Sequence, residues 1–408
     1  MSSRIAYGSG VRLVTEDNVE LLDAVSGTFN LPLGYSHPAV VKAVEEQVAK
    51  VVHVSSSLIG PHSQQLLNRL LEFAPPGIDC GWARDIIGST AVECAVKIAQ
   101  KYTGGSDIIS LFFSHHGQTQ MTSALAGNSK RRYGMVNPMS AICIRVPAPY
   151  CYRCFYRTSY PSCDMLCVDA IHDFIRHSSN GKVAAMILEP ILGNGGNIVP
   201  PPGYFESLQQ LCREEKILLI ADEVQTGMGR TGYMLASEAF GLQPDIIVLA
   251  KGLGGIGIPA AAVLMRKEVN VLTMAEHSFT SGSNMVSIAA SLATIDVISR
   301  PEFLLSVRQK GKVLGEMLNK LKNRFAFIGD VRGMGMMWGL EIIQPDGRPD
   351  PAKTRAILDV ALAKHRLILR SSQYGDGNVV KVRPALVATE DDLEEIVSRL
   401  SKSLEAVN

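Results

Sequence analysis

Three short apolar runs, each closing on a polar or glycine residue, constrain the fold of this chain more than any other feature. They are AAMILEPI from residue 184, ILLIADEV from residue 217 and DIIVLAKG from residue 245. Each is rich in branched side chains and too short for a stable helix, so each reads as a buried strand. Between the first two lies GYFESLQQLCREEK, whose apolar residues recur at helical spacing. After the second come the turn-rich QTGMGRTG and a short helical stretch, MLASEAFG. This strand–helix–strand rhythm predicts a mostly parallel sheet with helices on its faces. In such sheets ligands sit beyond the carboxyl ends of the strands, where the polar residues that close these runs stand.

The last 120 or so residues read differently. SVRQKGKVLGEMLNKLKNR is a charged amphipathic helix, MGMMWGLEII a strand and EDDLEEIVSRLSKSLEAV a C-terminal helix. A chain of 408 residues exceeds one compact core. The expectation is therefore an α/β protein with a large parallel-sheet domain over 56–290 and a smaller α+β domain over 291–408. The N-terminal segment 1–55 is expected to join the smaller one. LGNGGNIVPPPGY reads as a loop over the active edge of the sheet.

With 40 basic and 39 acidic residues, the charge balance points to neither nucleic acid nor an anionic membrane as partner. No run of about 18 apolar residues is present, so no membrane span is expected. The opening MSSRIAYGSGVRL lacks the apolar core of a secretory signal, so a cytoplasmic protein is expected. In that setting the eight cysteines are not a disulfide framework. Cys151, Cys154, Cys163 and Cys167 cluster as C-x2-C-x8-C-x3-C. Thiolates so spaced can clasp one metal ion, but the gap between the pairs is short for a zinc ribbon. Reduced thiols packed beneath a loop are the preferred reading, and no metal is assigned.

Asp222 ends one apolar run and Lys251 a later one. A carboxylate in such a place must be paired, because leaving it bare costs several kcal/mol. A lysine there is desolvated, which lowers its pKa and sharpens it as a nucleophile. Alone, the two are equally well explained as a structural ion pair. Two further elements bear on the choice. In IIGSTAVECAVKIAQKY, Gly88, Ser89 and Thr90 open a helix whose free N–H groups suit a phosphate, although a plain helix cap would look the same. In LFFSHHGQT, His115 ends a strand, where it stacks on a flat ring or satisfies a core hydrogen bond. Taken together, a phosphate cup, a ring stacker, a carboxylate and a lysine are what pyridoxal 5'-phosphate requires. Its ring, protonated at nitrogen, accepts electrons from a carbanion.

At these residues the chain resembles the class III aminotransferases, enzymes of the PLP-transferase fold type I. The resemblance runs from about Gly10 to the C-terminus. It is most specific in LLIADEVQTGMGRTGYMLASEAFGLQPDIIVLAKGLGGIGIP, with support from LEPILGNGG, HSFTSGSN and VRGMGMMWGLE. It implies that Lys251 forms the internal aldimine and shuttles the proton, and that Asp222 pairs with the pyridine N–H. It implies Val224 on one ring face and His115 on the other, Gln225 near the phenolic oxygen, and Gly88 and Ser89 around the phosphate, with Thr90 as a further candidate beside them. Thr280 is similar to the threonine that reaches the phosphate of the other subunit, which implies a homodimer with active sites at the interface. Glu189 stands where the family keeps a gating carboxylate. Lys381 and Arg383 are the candidates for a substrate carboxylate, with solvated charges on a strand as the equal alternative.

The departures gather on the substrate side. His115 replaces an aromatic, Thr90 a glutamate, Met228 a phenylalanine and Met285 a proline, and Lys381 takes the place of the usual carboxylate-binding arginine. The resemblance implies transamination between small-molecule amine and carbonyl substrates. Racemisation or epimerisation of amino acids is the alternative, because PYCYRC…YPSC is similar to an insert in relatives that racemise. Chemistry on amino sugars and a non-catalytic binding role are the remaining readings.

Overall fold

In the computed structural model, residues 4–55, 58, 60–129 and 132–408 are described. Met1–Ser3, at the head of the segment read for a leader, lie outside the described residues. So does residue 56, where the boundary between N-terminal segment and large domain was expected.

A seven-stranded sheet forms the centre. Its order is Cys80–Asp85, Ala261–Met265, Ile246–Leu249, Leu218–Asp222, Val183–Leu188, Asp107–Leu111 and Cys143–Val146. Only Ala261–Met265 runs against its neighbours; the pairings from Ile246–Leu249 through to Cys143–Val146 are all parallel. The three apolar runs are adjacent central strands, buried along their whole length. Their side chains alternate between two apolar clusters. Ile187, Ile220 and Val248 pack on one face with Ala91, Ala95 and Ala99 of the helix Gly88–Thr103. Leu188, Leu219 and Ile247 pack on the other with Leu208 and Ile295, from the helices Tyr204–Glu214 and Met285–Ile298. Strands covered on both faces read as unbroken apolar runs, which is why these three stood out in the sequence.

A second layer is antiparallel: Ile328–Met334, Met337–Ile342, Val379–Val382 and Arg370–Ser371. The helices Pro301–Arg324, Pro351–His365 and Glu390–Glu405 cover it. The N-terminal strands Ile5–Ser9, Arg12–Thr15 and Glu20–Asp23 form a third sheet, whose edge pairs Leu22 with Leu367 and Asp23 with Ile368. Val11 and Leu22 share one core with Leu314 and Leu393. Among the described residues no helix is long and apolar enough to cross a membrane.

Candidate active site

The carboxyl ends of the parallel strands open on a recess of ≈ 460 Å³. Gly88, Ser89, His115, Glu189, Asp222, Val224, Gln225 and Lys251 line it, all of them singled out in the sequence, together with His116 and Gly117. Thr90, Thr280, Lys381 and Arg383 are not on its lining.

Asp222 ends the strand Leu218–Asp222 and is buried. One carboxylate oxygen accepts from the Val224 N–H at 3.1 Å, and the other meets His116 Nδ1 at 2.7 Å. Lys251 follows the strand Ile246–Leu249 and opens a single 3-10 turn with φ +44°. A non-glycine residue held in that region costs about 1–3 kcal/mol, a strain that recurs at functional sites. Burial brings the Lys251 ammonium down from 10.5 to about 8, against the opposing pull of Asp222 and Glu189. A sizeable neutral fraction near physiological pH makes this amine a nucleophile and a base.

The helix Gly88–Thr103 starts at the rim of the recess, and no side chain caps it. Its first N–H groups are therefore open to an anion. A Cβ on Gly88 would stand 3.3 Å from Val224 Cγ1, and one on Gly117 only 2.6 Å from Ser89 Oγ, so side chains there would crowd the cup. Ser89 Oγ accepts from the Gln118 N–H at 3.1 Å. The Thr90 hydroxyl turns back to donate to Ile87 O at 3.0 Å.

Opposite the helix start, Glu189 is buried. It accepts from the N–H of His115 at 2.8 Å and of Gly193 at 2.9 Å. Burial, with Asp222 nearby, raises its pKa. The His115 ring stacks on Tyr374 at 5.3 Å, and its Nδ1 is hydrogen-bonded to the tyrosine hydroxyl.

The strand Val379–Val382 brings Lys381 and Arg383 close behind this wall, fully buried. They are not the solvated charges that stood as the alternative. The Arg383 guanidinium is engaged by Gln225, Gly193 and Asn197. Lys381 Nζ has no hydrogen-bond partner among the described residues and lies 4.8 Å from the Phe29 ring. Arg383 stands 4.2 Å and Arg370 6.0 Å from the same ring. Burial, with the neighbouring arginines, pulls the Lys381 pKa well below 10.5.

Thr280 is exposed, on a loop fastened to the strand Cys80–Asp85. Buried His277 pairs with Asp85 at 3.1 Å, and Ser283 donates to Ala83 O at 2.6 Å. The four clustered cysteines line one separate cavity. No three of their sulfurs stand within 4.8 Å of one another.

Two residues at the heart of the site were missed in the sequence. His116 holds Asp222; the strand expected to end at His115 closes at Leu111, and both histidines stand on the loop that follows, so the doublet itself was the available signal. Tyr374 reaches His115 from the far layer, across 259 positions, and nothing local marks it.

The family model described as Aminotransferase class-III matches residues 2–404. The chain is 34% identical to the alanine/serine racemase of Pyrococcus horikoshii, over 97% of this chain and 84% of that protein. It is 31% identical to a probable 4-aminobutyrate aminotransferase of Bacillus subtilis, over 98% and 92% of the two chains. An amine transaminase from an uncultivated Pseudomonas species, solved in a PLP-bound form, superposes with a TM-score of 0.90 at 28% identity, covering 100% of this chain and 96% of that one. With its parallel sheet, its strand-end lysine and carboxylate, and a family match along nearly its whole length, the chain belongs to the class III aminotransferases.

Proposed function

We propose that the protein is a pyridoxal phosphate-dependent transaminase in which Lys251 holds the cofactor and moves the proton. The observation that carries this reading is the convergence of Lys251, Asp222 and an uncapped helix start on one recess. The fit is chemical as well as spatial. The helix start and the Ser89 hydroxyl supply donors for a phosphate, and Asp222 supplies an anion for a protonated ring nitrogen. Val224 and His115 supply two walls for a flat ring, and Gln225 a polar group at its edge. Thr90 is read as support for the helix start through its bond to Ile87 O.

When bound, pyridoxal phosphate offers an aldehyde to the amine and a ring that takes up the electron pair freed at the substrate carbon. The chain's own residues do the rest. Asp222, held by the Val224 N–H and His116, would present a fixed carboxyl group to the ring nitrogen. Lys251, its pKa lowered by burial to about 8, would hold the cofactor through its amine and carry the proton to and from the substrate carbon. Glu189, fixed by two backbone N–H groups, borders the space for the substrate. Lys381, buried and without a hydrogen-bond partner among the described residues, is the group read as meeting a substrate carboxylate.

We further propose a homodimer with shared sites. Phe279, 45% exposed beside Thr280, and Ile87, 48% exposed beside Gly88, support an apolar contact where Thr280 would reach the partner's phosphate. Eight cysteines without a disulfide support a reducing, cytoplasmic setting. The division into a large domain and a smaller one completed by the N-terminal segment rests on the separate apolar cores.

The test is spectral. An amino donor alone, with no acceptor, should convert the bound cofactor to pyridoxamine phosphate and release one equivalent of carbonyl product. No conversion with any amine or amino acid contradicts transamination. Amino acid racemisation is the second reading, supported by the 34% identity to a racemase. It predicts solvent deuterium at an inverted α-carbon without carbonyl product.

A further inference from the structure

We propose that Arg383 is a positioning residue that locks the Gln225 amide as a hydrogen-bond donor facing the recess, where it meets the ring oxygen of the cofactor. This rests on the cofactor reading above and deepens it. Arg383 is 1% exposed and donates from one guanidinium nitrogen to Gln225 Oε1 at 2.6 Å. Its other terminal nitrogen donates to Gly193 O at 2.7 Å and to Asn197 Oδ1. The guanidinium plane rests against Phe29, 4.2 Å from the ring centre.

A guanidinium has donors and no acceptor, so the amide atom facing it must be the oxygen. The two ends of an amide are hard to tell apart by shape, but this partner decides between them. Gln225 lines the recess, and its Nε2 has no hydrogen bond to another described residue. The atom left to face the recess is therefore the NH2 group. Gly193 keeps the arrangement open: a Cβ there would stand 2.4 Å from Gln225 Oε1 and 3.0 Å from the Arg383 guanidinium.

The geometry gives Gln225 one sense of polarity. It donates and cannot accept, so it favours an ionised ring hydroxyl over a neutral one. Arg383 acts at one remove, through the amide. Three of its N–H groups are taken by protein oxygens, while its Nε has no hydrogen-bond partner among the described residues.

The experiment uses apoprotein and pyridoxine 5'-phosphate, which has the ring, its hydroxyl and the phosphate but no aldehyde. Absorbance titration reads the ionisation of the ring hydroxyl in the complex, and equilibrium dialysis reads affinity. Gln225→Glu keeps an oxygen for Arg383 but presents a second oxygen to the ring. It should raise the pH of hydroxyl ionisation by about one unit and weaken binding about tenfold. Arg383→Lys keeps the buried charge without the fork, and should shift the ionisation in the same direction by a smaller amount. In a Gln225→Ala background, Arg383→Lys should add nothing. An unchanged ionisation in Gln225→Glu overturns the proposal, as does an Arg383→Lys effect that persists without Gln225. Failure of the unaltered protein to bind the probe overturns the cofactor reading and this inference with it.

Discussion

The wall of the recess built by the parallel sheet and the layer behind it built by the antiparallel sheet differ in how their buried charges are matched. On the first, Asp222 meets His116 and a backbone N–H, and Glu189 meets two backbone N–H groups. On the second, Arg370, Lys381 and Arg383 surround Phe29, and the Lys381 ammonium has no hydrogen-bond partner among the described residues. The matched wall is preorganised for a resident group, since its carboxyl groups are held before anything binds. The second layer buries a lysine with no hydrogen-bond partner among the described residues, at a cost in stability that the substrate-carboxylate role proposed above would account for.

Substitutions on the two sides should therefore fail in different ways. The largest effect is expected from Lys251→Ala, which should lower turnover roughly a thousandfold or more while leaving the folded structure intact. Steady-state rates and circular dichroism check it, and retained turnover would erase the distinction between the walls. Asp222→Asn should come next, with kcat down roughly 10²–10³-fold and KM little changed. His116→Ala should loosen Asp222 without removing it. A stability loss of about 1–3 kcal/mol, read by denaturant unfolding, should accompany a smaller fall in kcat.

On the other side, Lys381→Met should stabilise the protein by about 1–4 kcal/mol at neutral pH while raising KM for carboxylate-bearing substrates. The sign follows from protonation. The folded-state pKa of Lys381 lies well below 10.5, so the unfolded chain binds the extra proton throughout the interval between them. The native lysine is thus least costly above pH 10.5, and its penalty grows as pH falls through that interval. The stability advantage of Lys381→Met should shrink as pH rises toward 10.5. A constant advantage would mean that Lys381 is paired in the native state. The smallest shift is expected in the apoprotein: labelling of Lys251 by an aldehyde should rise with a midpoint near pH 8. Asp222→Asn, by removing a favourable charge, should move that midpoint lower.

The same contrast explains what the sequence disclosed. The matched wall hangs on strands buried on both faces, and such strands are contiguous apolar words whose last letters are Asp222 and Lys251. The cup was legible because a helix start is local, from Gly88 to Ser89. The second layer was not legible. Phe29, Arg370 and Lys381 meet only because the N-terminal segment folds against strands more than 300 residues later, and no local pattern encodes that meeting. Arg383 was singled out from its neighbours in sequence, but its partners Gly193, Asn197 and Gln225 come from loops of the large sheet that no local pattern ties to it. His116 was visible but assigned no role, because which histidine of the pair turns inward depends on the path of the loop after Leu111.

The central claim is that Lys251 holds the cofactor. Borohydride reduction of the protein loaded with pyridoxal phosphate, followed by peptide mass analysis, tests it directly. The account predicts one phosphopyridoxyl group per chain, on Lys251. A group on another lysine, Lys381 included, or none on any, would contradict it.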